Sequence, residues 1–152
     1  MKKAISLITV LVLVLGLLPY SANATANTKT EDIIRLDNGY YLVVEIVSVE
    51  NRATSIKSGS KVYTCKDSNG AEQWRATLSG TFTYTGTSAT CTSSGCTTSV
   101  SNSSWYEVSK SAGKSGSSAT AEVTMGEKFL GITINKETVS MKLTCSVTGS
   151  LS

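Results

Sequence analysis

The chain has 152 residues, 40% of them hydrophobic and 16% charged, with one proline, four cysteines and no histidine. That length suits one domain. The absence of histidine rules out Ser-His-Asp and Cys-His catalysis and any histidine-containing metal site within the chain. A formal charge of +3 gives no basic stripe of the kind that nucleic acid demands, so no nucleic-acid partner is expected, and no cofactor or metal.

Residues 1–24 read as a secretory signal peptide. Lys2 and Lys3 precede an apolar run over residues 5–18, and Ser21-Ala22-Asn23-Ala24 places small residues at −3 and −1 of a cleavage site after Ala24. The run falls short of the roughly 18 to 20 residues that a membrane span needs, so cleavage at Ala22–Ala24 and release are expected, with no integral membrane anchor afterwards and an extracellular destination. Cleavage leaves 12 basic and 11 acidic side chains, a formal +1. Serine and threonine then make up 42 of 128 residues, which fits either a flexible stalk or a β-protein with hydroxyl-lined strand faces.

Residues 25–38 form a lead-in segment, in which Thr30-Glu31-Asp32 caps a brief helix that Asp37-Asn38-Gly39 stops. A single β-domain follows over residues 39–152. Residues 41–49 are apolar on both phases apart from Glu45 and Ser48, as in a central strand. Ser68-Asn69-Gly70 is a hairpin turn. From Glu72 to Thr85, Trp74, Ala76, Leu78, Gly80, Phe82 and Tyr84 alternate with polar residues, the pattern of a strand buried on one face. Gly80 predicts a bulge or bend that splits the run across two sheets. Residues 93–104 read as a long polar loop around a short strand. The same alternation returns at Ala119, Ala121, Val123 and Met125, and at Val139, Met141, Leu143 and Cys145. Between these runs, residues 126–134 read as a hairpin with Phe129 or Leu130 at its tip. A stalk has no reason to alternate. The pattern predicts seven to nine strands at short spacing in an antiparallel sandwich or barrel, a sandwich with immunoglobulin-like features being the reading adopted.

An exported chain with four cysteines predicts two disulfides. Phase favours Cys91–Cys145, leaving Cys65–Cys96; the rival pairs Cys91 with Cys96 and Cys65 with Cys145. A bridge across the 91–145 loop contributes about 4 kcal/mol against about 2 for the 91–96 loop. No C-x-x-C knuckle supports zinc.

Ser58-Gly-Ser-Lys61 and Ser111-Ala-Gly-Lys114 match the serine–lysine signature of penicillin-recognising enzymes, but no K-T-G or S-D-N follows. Gly113-Lys114-Ser115 lacks the first glycine of a phosphate loop, Val108 standing in its place. The carboxylates are scattered; Glu45 alone interrupts an apolar run. No catalytic residue is assigned and no enzyme is expected. Trp105 and Tyr106 are consecutive in a strand, so one faces inward and the other outward. They are the candidate ligand contacts, with one of Tyr40 and Tyr41 beside them.

Lys57-Ser-Gly-Ser-Lys61, Gly80-Thr-Phe-Thr-Tyr-Thr-Gly86, Ser88-Ala-Thr-Cys91-Thr, Ser104-Trp105, Ser109-Lys-Ser-Ala-Gly-Lys-Ser-Gly116 and Leu143-Thr-Cys145 with Gly149 and Leu151 occur in this order. The series resembles a group of small secreted β-proteins from Gram-positive, often gut, bacteria, and covers most of residues 57–152. The resemblance implies a secreted bacterial β-domain in which Cys91 and Cys145 pair, those of Cys65 and Cys96 being less regular. It carries over no catalytic or binding residue. The expected function is a secreted non-enzymatic module acting by surface contact with cell envelope, glycan or host material. The alternatives are a toxin or pore-former, and a hydrolase using carboxylates.

Overall fold

The structure is a computed structural model that describes residues 25–50 and 55–152; the predicted signal peptide and its cleavage site at Ala22 and Ala24 lie outside the described residues. Eight strands follow one another: β1 (Thr25–Arg35), β2 (Tyr41–Glu50), β3 (Ile56–Lys66), β4 (Glu72–Tyr84), β5 (Ala89–Val100), β6 (Trp105–Ser115), β7 (Ser118–Phe129) and β8 (Ile132–Thr144). They form two antiparallel sheets, β1-β2-β3-β4-β5 and β6-β7-β8.

The predicted alternation sets the core. Trp74, Ala76, Leu78 and Phe82 of β4, Ala119, Ala121, Val123 and Met125 of β7, and Val139, Met141 and Leu143 of β8 are buried, joined by Leu42, Val44 and Ile46 of β2. β7 lies over β4 and β5, and β8 over β3 and β4. At Gly80 there is no room for a side chain between the sheets: a Cβ there would stand 2.7 Å from the Phe82 ring of its own strand and 3.1 Å from the Ala119 Cβ of the other sheet. The outer faces carry the hydroxyls, paired across strands as Ser58–Thr81, Ser60–Ser79 and Thr124–Thr138. Such cross-strand pairs stabilise a sheet face in water.

Four expectations are corrected. Every hydrogen-bonded strand neighbour is a chain neighbour, so the sandwich is a meander folded over at the β5–β6 corner, whereas an immunoglobulin domain needs Greek-key connections. The lead-in is no helix: Thr25–Arg35 is strand β1, an edge strand paired to β2, because backbone pairing with β2 outweighs a weak cap signal. Residues 93–104 contain no long loop, since β5 runs to Val100 on the edge of β4. Lastly, β4 stays in one sheet; the irregularity near Gly80 is a register shift against β5 between Thr81 and Phe82.

The cysteine framework also changes. All four cysteines are free thiols. Cys65 stands opposite Trp74 and Cys96 opposite Leu78. They are thus two strands apart and offset by four residues, about 16 Å at ordinary strand spacing and rise, against a disulfide limit near 7 Å. Cys91 and Cys96 lie five residues apart on one extended strand, again about 16 Å. Cys65 ends β3 at one pole, whereas Lys57, whose charge acts on Cys145, lies at the other. Cys91 and Cys145 bond to the same turn, their N–H groups donating to Gly116 O at 2.8 Å and Ser117 O at 3.0 Å. Their Sγ atoms turn to other acceptors, Ser93 O and Ser146 O.

Candidate contact surface

Trp105 and Tyr106 divide as an alternating strand requires. Trp105 is 3% exposed, edge-on to Tyr40 at 5.4 Å and tilted against Trp74 at 6.0 Å. It is core, and its expected role as a ligand contact is corrected. Tyr106 faces outward from the three-stranded sheet, flat on Gly126, where a Cβ would come within 2.6 Å of its ring. Glycine is thus the seat of the tyrosine.

Two contacts fix that ring. Its hydroxyl hydrogen-bonds the Thr133 hydroxyl at 2.8 Å, and Lys128 Nζ sits 4.1 Å from its centroid, a cation–π contact. Lys136, the pairing partner of Gly126, is exposed on the same strand pair.

Past this point the β7–β8 hairpin runs on alone. β6 begins at Trp105, paired with Glu127, and the last bond to the β5–β6 corner is from Lys128 N to Ser104 O at 2.8 Å. Phe129 pairs with Ile132, so Leu130 and Gly131 form a two-residue turn with φ of +50° and +82°. The sequence identified this tip. What it did not give is the register shift between Glu127 and Lys128, which leaves Ile134 outside the ladder. Phe129 is 63%, Leu130 87%, Ile132 69% and Ile134 59% exposed. Four large apolar side chains therefore crowd one hairpin end, with Tyr106 and Lys128 at its shoulder.

The carboxylates beside the hairpin are engaged. Tyr40 donates its hydroxyl to Glu127 at 2.8 Å and Asn38 its amide to Glu137 at 2.5 Å. These bonds tie the β1–β2 turn of one sheet to the other. Burial, then the bond to Glu127 and its charge, push the Tyr40 phenol up to about 12. Tyr40 and Tyr41 also line a depression of about 480 Å³ with Ile33, Arg35 and Leu36. Tyr40 packs against buried Trp105 while Tyr106 faces away, so the predicted aromatic contacts do not converge on one site. Glu45 lies on the phase of β2 opposite Leu42, Val44 and Ile46, half-buried and paired with Val62 across β3. No group of three or more histidine, cysteine, aspartate or glutamate side chains suited to a metal occurs among the described residues. The chain matches no protein-family model, no curated protein and no solved structure.

Proposed function

We propose that the protein is a secreted, non-enzymatic extracellular module that acts by surface contact with cell envelope, glycan or host material, and that the β7–β8 hairpin end is its contact point. One observation carries the reading: Phe129, Leu130, Ile132 and Ile134 project together into solvent beyond the strands that the sandwich needs. Isolated exposed apolar residues are ordinary, whereas a contiguous cluster marks an interaction site. The toxin reading draws on the same tip and predicts leakage from dye-loaded vesicles.

The test is co-sedimentation of the purified protein with bacterial cell walls, mucin and lipid vesicles, side by side, against the double variant Phe129→Ser, Leu130→Asn. Saturable binding to at least one surface is expected, weakened tenfold or more, on the order of one buried apolar side chain, in the variant. Equal binding by both proteins, or binding to none, overturns the reading, as does saturable turnover of a substrate by the wild type.

A further inference from the structure

The geometry points to a lipid bilayer interface, enriched in anionic headgroups, as the partner of the hairpin tip, an inference that rests on the surface-contact reading above. Three features of the tip fit a bilayer better than they fit another protein.

The first is depth. From Lys128, whose N–H makes the last bond to the corner, to Leu130 at the turn is two residues, about 7 Å at strand rise. Apolar groups of interfacial elements sit roughly 5–10 Å into the headgroup and acyl boundary, so the overhang places Phe129, Leu130 and Ile132 at that depth while the sandwich stays in water.

The second is what stands at the shoulder. Tyr106 is an aromatic ring with a polar tip, a residue type that favours the headgroup level. Lys128 is held over that ring, and Lys136 is exposed opposite Gly126. Both ammonium groups would face lipid phosphates when the tip is immersed. Glu127 and Glu137 at the same level are bonded to Tyr40 and Asn38 on the other face of the hairpin. Cations and anions thus lie on opposite faces of the hairpin, and the anions are already bonded within the fold while the ammonium groups face outward.

The third is the turn itself. A two-residue turn with positive φ at both positions favours Asn-Gly or Asp-Gly. Here the first position is Leu130, strained at φ +50° and almost fully solvated. Neither backbone preference nor core packing calls for leucine there, and residues kept in such conformations gather at functional sites. The patch is also small. Four side chains fall short of the roughly 800 Å² per partner of a specific protein interface, whereas membrane partition requires no shape-matched surface and adds apolar area to attraction between basic groups and anionic lipid.

The experiment uses the purified protein with vesicles of phosphatidylcholine alone and of phosphatidylcholine with phosphatidylglycerol. Its variants are Leu130→Asn, Lys128→Gln with Lys136→Gln, and Phe129→Trp. Leu130→Asn suits its turn better than leucine does, and a thermal melt confirms that it is folded. Sedimentation with the mixed vesicles is expected to weaken about tenfold or more in Leu130→Asn, the scale of one buried apolar side chain. The lysine variant should lose roughly fivefold per charge on the anionic vesicles alone. Tryptophan at 129 should shift its emission to the blue on the same vesicles. Partition that ignores Leu130→Asn, or no partition at all, overturns the inference. Concentration-dependent self-association that Leu130→Asn abolishes, without vesicle binding, overturns it in favour of a second copy of the chain. Binding to cell walls or mucin that depends on the tip, without vesicle binding, removes the lipid partner and leaves the surface-contact reading standing.

Discussion

Cys65 and Cys96 share a sheet yet offer different thiols. Cys65 is fully buried; burial first, then the charges of Glu137, Glu127 and Asp67, push its thiol up to about 12. Cys96 is half-buried, and its thiol is raised by burial but lowered by Lys110. Because the thiolate is the nucleophile, iodoacetamide at pH 8 should modify Cys96 first and reach Cys65 only when the chain unfolds. Peptide mapping of the native and urea-treated protein checks both statements, and early labelling of Cys65 would contradict its placement. Non-reducing maps test the register too. All four thiols are free in the fold, and a Cys65–Cys96 or Cys91–Cys96 peptide from folded protein would be incompatible with its strand spacing. Phase set Cys91 and Cys145 inward, and both are buried. The separation of Cys65 from Cys96 was illegible because strand separation in space depends on pairing partners, which no single strand encodes.

At the scale of the element, the β7–β8 hairpin trades its own stability for its exposed tip. Leu130 holds a left-handed conformation that costs an L-residue about 1–2 kcal/mol and that asparagine tolerates well. Leu130→Asn should therefore raise the stability of the fold by about 1 kcal/mol, seen as a higher urea midpoint at unchanged slope, even as the tip loses its contact. A lowered midpoint would mean that the leucine packs against the fold, contrary to its exposure. The hairpin was legible in the sequence because Gly131 and the apolar residues around it mark a turn between two alternating runs. β5 was not. Its sequence, ATCTSSGCTTSV, offers only Cys91 to the deep core, so the alternation that reveals β4 and β7 has nothing large to display. β1 is hidden for a related reason: as an edge strand it contacts β2 alone, and its side chains from Asp32 to Arg35 are exposed. Edge strands are defined by their neighbour's backbone, and sequence pattern sees mainly side chains. Trp105 and Tyr106 lie between these cases. Alternation required one to face inward, but the choice rests on Gly126, whose missing side chain gives Tyr106 its outer seat.

The two sheets meet through few polar ties, and those ties respond to pH. Thr98 donates its hydroxyl to Glu107, which also accepts from Lys110 at 3.0 Å, while Tyr40–Glu127 and Asn38–Glu137 fasten the opposite side of the corner. Tyr40 gives the clearest reading of the whole molecule. Its phenol ordinarily titrates at 10.0 and is pushed up to about 12 in the fold. The unfolded chain therefore gives up this proton at a lower pH than the folded chain does. The stability that Tyr40 contributes is complete below 10 and is lost as pH climbs through about 12. Cys65, raised from 9.0 to about 12 by burial, adds a decline that begins one unit earlier. Tyr40→Phe keeps the ring against Trp105 and removes only the hydroxyl. It should cost about 1 kcal/mol at neutral pH, the worth of one hydrogen bond to a charged acceptor left partly solvated. It should also flatten the fall in urea midpoint between pH 10 and 12, leaving the component from Cys65. Measuring the midpoint of both proteins from pH 7 to 12 separates the outcomes. A constant offset with parallel slopes would mean that the hydroxyl is not buried against Glu127 in the folded protein, and that Asn38–Glu137 is the tie that fastens this side of the corner.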